Sequence, residues 1–198
     1  MTASDHMRYF QINTLGDDID KSLAFADCGI ENYSGEGRLY RGERAGSEYP
    51  PDARIYLQIE SPGLKLRSLL GNTACYLIIN TELKTILETL DLGQVEILPF
   101  TLYDHRKRPL SKDYWIVNPL GTFDCVNRAA SEIEFWDEDP TKIVGVDKLV
   151  FDAKKLEGAP DLFRVPESPY EYFCSQRVPM AWQHKGFTNL FMDEIEVV

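Results

Sequence analysis

The residues of this 198-residue chain that could do chemistry are four cysteines, three histidines and 32 acidic side chains, and their spacing decides what that chemistry is. Cys28, Cys75, Cys125 and Cys174 stand roughly fifty residues apart with no C-x-x-C pair. That spacing removes a zinc ribbon and a thioredoxin-type motif and predicts free, mostly buried thiols. His6, His105 and His184 are scattered, and none has a second His or Cys at helical spacing, so no metal site is expected. Asp124-Cys125 puts a thiol beside a carboxylate, a pattern that reads as a buried thiol following a turn, and no G-x-S-x-G elbow is present. Gly35-Glu36-Gly37 lacks the later glycine of a dinucleotide fingerprint, and there is no G-x-x-x-x-G-K-[ST] loop. Glu132 and Glu134 invite a glycosidase reading, but alternating acids more simply mark the solvent face of a strand. The chain thus reads as a non-enzyme with no catalytic residue, cofactor or metal. An enzyme using Cys125 or the acidic pairs is a competing reading, and it requires Asp124, Cys125 and a histidine to converge in a pocket.

Binding chemistry is better represented. Glu132, Glu134, Phe135, Trp136, Asp137, Glu138 and Asp139 set two aromatic anchors in an acidic rim, the ingredients of a protein interface for a basic partner. The alternative is a solvated hairpin whose aromatic residues turn inward. His105-Arg106-Lys107-Arg108 reads as a solvated hairpin tip, because the whole chain has a net charge of -11 and a pI near 4.7. That charge argues against a nucleic-acid binder, which needs clustered Lys and Arg. It serves solubility, steering toward a basic partner, or both.

The elements that must position these groups follow from periodicity. With 43% hydrophobic residues the chain can build one substantial core. No run is long enough to span a membrane and no signal peptide opens the chain, so a cytoplasmic location is expected. Residues 1–6 lead into a His6-Met7 step like a common cloning junction and read as a vector-derived leader to a single domain over 7–198. Strands are predicted at 8–15, 54–60 and 95–103, with a short one at Leu39-Tyr40-Arg41 and an irregular stretch over 16–37. Cys75 to Ile79 reads as a strand leading into a helix at about 82–92, capped by Thr81 and stopped by Gly93. A long antiparallel hairpin connects the 95–103 strand to Tyr114–Asn118, whose two apolar faces mark a strand covered on both sides. Thr122 to Val126 reads as a further short strand after the Pro119–Gly121 turn. A last helix at about 176–185 is capped by Ser175, stopped by Gly186, and tolerates Pro179 in its first turn. Strand, cap, helix, Gly and strand thus occur twice, a pattern suggestive of duplication. The expected architecture is a single α+β domain, a mostly antiparallel sheet with two or three packed helices.

Read together, these segments resemble a bacterial family of polymorphic-toxin immunity proteins, the Imm11 or DUF1629-like group. The matching order is the capped helix before Gly93, Leu98-Pro99, Asp113-Tyr114, Val117-Asn118, Asp124-Cys125 and Ser131. It continues through Asp147 to Asp152, Leu162-Phe163-Arg164, and the Ser175 helix with Gly186-Phe187-Thr188 and Phe191. The resemblance covers about residues 70 to 195. Pro179 and residues 16–53 depart from it. It implies a cytoplasmic protein that binds and inhibits a cognate toxin, with no catalytic residues. Its shared positions are core and turn determinants, so specificity would lie in surface loops. The basic partner suggested by the charge could then be a nuclease, delivered by a contact-dependent or type VI system. An adaptor for another basic protein is the runner-up.

Overall fold

The computed structural model describes residues 7–27, 29–183 and 186–198. The expectations for residues 1–6, Cys28 and His184 lie outside the described residues. From the N-terminal side come β1 (Tyr9–Asn13), β2 (Phe25–Ala26), α1 (Glu36–Tyr40), β3 (Arg54–Tyr56), β4 (Gly71–Asn72), β5 (Leu77–Asn80) and α2 (Thr81–Leu87). There follow β6 (Val95–Pro99), β7 (Thr101–Tyr103), β8 (Pro109–Ser111), β9 (Tyr114–Pro119), β10 (Glu132–Trp136), β11 (Asp139–Lys148) and β12 (Val150–Phe151). The chain closes with β13 (Leu162–Val165), β14 (Ser168–Ser175), α3 (Arg177–Gln183) and β15 (Phe191–Val197).

Two strand–helix–strand units of one topology organise the molecule. In the first, β5 and β6 flank β9 and are antiparallel to it; in the second, β14 and β15 flank β1 in the same way. Each helix therefore links two strands that a third separates, and α2 packs on α3. Alternation then assigns the faces. Ile12, Leu77, Ile79, Val117, Tyr172 and Cys174 meet Leu83 and Leu87 of α2 and Val178 and Trp182 of α3 in one core. The opposite face of the large sheet holds an aromatic cluster in which Phe151 meets Tyr9 at 6.2 Å and Phe173 at 5.4 Å, both edge to face. Tyr114 and Ile116 of β9 point into a third core with Tyr76 and Ile78, while Val117 points to the helices. The strand predicted to be covered on both sides is so covered.

The α+β class holds, but the one mostly antiparallel sheet resolves into five small sheets among the described residues. The predicted 95–103 strand divides at Phe100, whose ring is buried in the core beneath β7. β6 stays antiparallel to β9, whereas β7 pairs with β8 and, in parallel, with β3. The long hairpin therefore exists and serves two sheets. Leu39-Tyr40-Arg41 is not a strand: it ends α1, with Leu39 fully buried. Thr122 to Val126 forms no strand either, since its only ladder contact is a bridge from Val126 to Phe151. The 54–60 strand stops at Tyr56, and Ile59 is 79% exposed.

α2 is shorter than predicted, and α3 begins at Arg177. Asn80, not Thr81, caps α2, its side-chain oxygen accepting from the Leu83 amide at 2.9 Å. The Thr81 hydroxyl instead accepts from the Trp115 indole N–H. After Leu87 the chain closes in tight turns rather than running to residue 92, so Gly93 does not stop the helix. In α3 the Ser175 hydroxyl accepts from the Arg177 amide at 3.2 Å, and Pro179 falls in the first turn, where no intrahelical donor is lost. Among the described residues no helix is long and apolar enough to cross a membrane.

Candidate partner interface

Cys125 and Cys174 are packing groups, while Cys75 is half-buried. Cys125 has no exposed surface, lies in the core with Tyr9, Phe151 and Phe163, and its thiol is pushed by burial up to about 12. Neighbouring Asp124 is exposed and paired with Lys155 at 3.0 Å, and the His105 ring nitrogen is engaged by the Gln58 and Ser61 carbonyls. Among the described residues Asp124 and Cys125 meet no histidine, His105 being held elsewhere, so the enzyme reading built on them gains no geometry there. Burial also raises the Cys174 thiol. Among the described residues no group of three His, Cys, Asp or Glu side chains is placed to hold a metal.

The family-like positions are likewise structural. Tyr114 donates its hydroxyl to the Arg67 carbonyl, and fully buried Asn118 donates to the Glu43 carbonyl at 2.9 Å. Arg164, 1% exposed, has no carboxylate partner among the described residues. Its guanidinium donates to the Leu39 carbonyl at 3.1 Å, the Tyr40 carbonyl at 3.4 Å, the Asn118 amide oxygen at 3.4 Å and the Tyr172 hydroxyl at 2.7 Å. A further bond reaches the Pro169 carbonyl. Carbonyls at the C-terminal end of α1 carry partial negative charge, so this cation ties α1 to β9 and β14. Residue types alone gave no sign of that hub.

What projects from this frame is the β10–β11 hairpin, which pairs with no other strand among the described residues. Ile133 opposite Val146 anchors it to the aromatic core. Ser131 clamps its base: the hydroxyl donates to the Asn127 carbonyl at 2.8 Å and accepts from the Val150 amide at 2.9 Å. Beyond that pair the side chains turn to solvent, with Phe135 38%, Trp136 45% and Val144 62% exposed. The inward-turned alternative is not what the chain adopts. Three register shifts along β10 twist the ribbon, which spoils its edges for flat pairing.

The tip is a turn at Asp137-Glu138. Asp139 accepts from the Thr141 hydroxyl at 2.6 Å and amide at 3.1 Å, which holds its carboxyl below the usual range. Lys142 lies 4.9 Å over the Trp136 ring and 3.4 Å from Asp139, so the exposed indole is propped by a cation. Glu134, Asp137 and Glu138 have no ion-pair partner among the described residues. The basic 105–108 segment is the tip of the β7–β8 hairpin, and its Arg108 is spent on Asp104 at 2.7 Å.

The fold joins two like units under an exposed acidic arm, and the family follows from the chain as a whole. A family model of immunity proteins matches residues 18–197. The chain belongs to the immunity protein family Imm11. The match takes in residues 18–53, beyond the 70–195 over which the motifs were legible. No curated protein matches the chain.

Proposed function

We infer that this chain neutralises a cognate bacterial effector by stoichiometric binding, and that the β10–β11 hairpin enters the contact. Family membership supports the immunity role. The observation that carries the surface is the projecting hairpin itself, which sets exposed Phe135 and Trp136 beside five carboxylates, with no Lys or Arg between residues 132 and 139. Aromatic anchors supply desolvated area, and a field of one sign steers a basic partner. A nuclease delivered by a contact-dependent or type VI system suits this surface, because its cleft is built to accept phosphate charge. An adaptor for a different basic protein would use the same residues and differs only in the partner.

Co-expression with the product of the adjacent gene tests the reading. Wild-type protein co-purifies with that product and protects cells that express it. Trp136→Ala weakens binding by about 2 kcal/mol, and adding Glu132→Lys with Glu134→Lys abolishes protection. Full protection by the triple variant would remove the hairpin from the interface. Failure to bind any adjacent toxin would remove the immunity mechanism.

A further inference from the structure

A second surface lies at the edge of the large sheet. β15 is paired with β1 from Phe191 to Ile195 on one side, but on the other side β12 covers only Glu196 and Val197. Val198 donates its amide to the Phe151 carbonyl, on the β12 side, and backbone direction alternates along a strand. Met192 and Glu194 therefore direct their amides and carbonyls away from β1, and neither group has a backbone partner there among the described residues. Unlike the hairpin, β15 has a regular register with β1, with no bulge to spoil its edge.

Two features define what this edge fits. The side chains of Met192 and Leu190, with Met180 of α3 and Phe10 of β1, line a groove of about 510 Å³ on the helix face. Asp193, Glu194 and Glu196 make the strand acidic, with Glu194 shared with Arg8 and Glu196 with Lys148 at the surface. A second copy of the chain would bring acidic strand against acidic strand, which opposes self-pairing.

We propose that the free edge of β15 docks an extended segment of a basic partner protein as an added antiparallel or parallel strand. One apolar side chain of that segment enters the Met180–Met192 groove, and a Lys or Arg two residues along meets Glu194. Main-chain hydrogen bonds to Met192 and Glu194 supply affinity, and the groove supplies selectivity. This inference goes beyond the immunity reading and concerns a different surface, so it can fail while that reading stands.

The probe is a capped Lys-Thr-Leu-Lys-Lys-Thr-Val peptide added to the full chain, with amide exchange followed by NMR. The Met192 and Glu194 amides slow at least tenfold. A version N-methylated at alternate backbone nitrogens keeps the charges, cannot pair, and leaves their exchange unchanged. Glu194→Pro removes one outward donor without touching the β1 ladder and weakens the peptide at least tenfold. The proposal is overturned by unchanged exchange at Met192 and Glu194, by equal effects of the N-methylated peptide, or by slowing confined to residues 132–139. Concentration-dependent dimerisation that Glu194→Pro abolishes would overturn it too, by giving the edge to a second copy.

Discussion

Arg164 is a buried cation held by carbonyls, an amide and a phenol, and truncating it strands all of them at once. Arg164→Met is expected to destabilise the fold by about 3 kcal/mol in urea titration, since each orphaned buried acceptor costs about 1–3 kcal/mol and some will relax. A loss below about 1 kcal/mol would show that α1 does not depend on it. Asp104 governs the β7–β8 turn by accepting from the Arg106 and Arg108 amides and from the Arg108 guanidinium. The Arg108 amide and guanidinium, with the Arg106 amide, hold its carboxyl down at about 2. The folded value lies below the unfolded one, so the stabilisation is complete above about pH 4 and is lost as pH falls through about 2. Thermal midpoints of wild type and Asp104→Asn should accordingly differ at pH 6 and converge near pH 2, and a constant gap would refute the assignment. At this scale the sequence was a good guide to two of the thiols, since Cys125 and Cys174 are buried as their apolar setting predicts. It marked Arg164 and Ser131 as family-like positions but did not reveal their distant partners, such as Leu39, Asn118 and Val150, which only the fold brings to them.

Among the elements, the β10–β11 hairpin is separable from the core. Only Ile133 and Val146 reach the aromatic cluster, so replacing residues 134–145 by Asn-Gly leaves a two-residue turn between them. Unfolding free energy should stay within about 1 kcal/mol of the parent while effector binding is lost. A variant that fails to fold would mean the arm is structural. Periodicity placed β1, β5 and β9 within a few residues and located α2 and α3. It missed the break at Phe100 because an unbroken apolar run carries no mark of which sheet each half joins. It misread Leu39-Tyr40-Arg41 because three residues cannot distinguish a strand from the last turn of a short helix. The Asn80 cap was misplaced by one position, since Asn and Thr are adjacent and both are good caps.

Over the whole molecule, the net charge of -11 and the acidic arm would steer the basic partner that we propose. Its on-rate, measured by stopped flow, should fall at least tenfold between about 15 mM and 500 mM salt, with the off-rate changing far less. A salt-independent on-rate would reduce the acidity to a device for solubility. The repeated strand–helix–strand grammar read from residues 75–98 and 172–197 corresponds to two units of one topology. The strand at the middle of each was not legible, because β9 follows its unit and β1 precedes its own by some 150 residues. The placement of β1 has a consequence for biosynthesis. Tyr9 pairs with Ser175 and Ile195, so β1 has no sheet partners until β14 and β15, some 150 residues later in the chain, have been made. Such long-range closure makes folding slow. Whatever the protein does once this sheet is closed therefore trails the synthesis of β1 by at least the time needed to make those later strands.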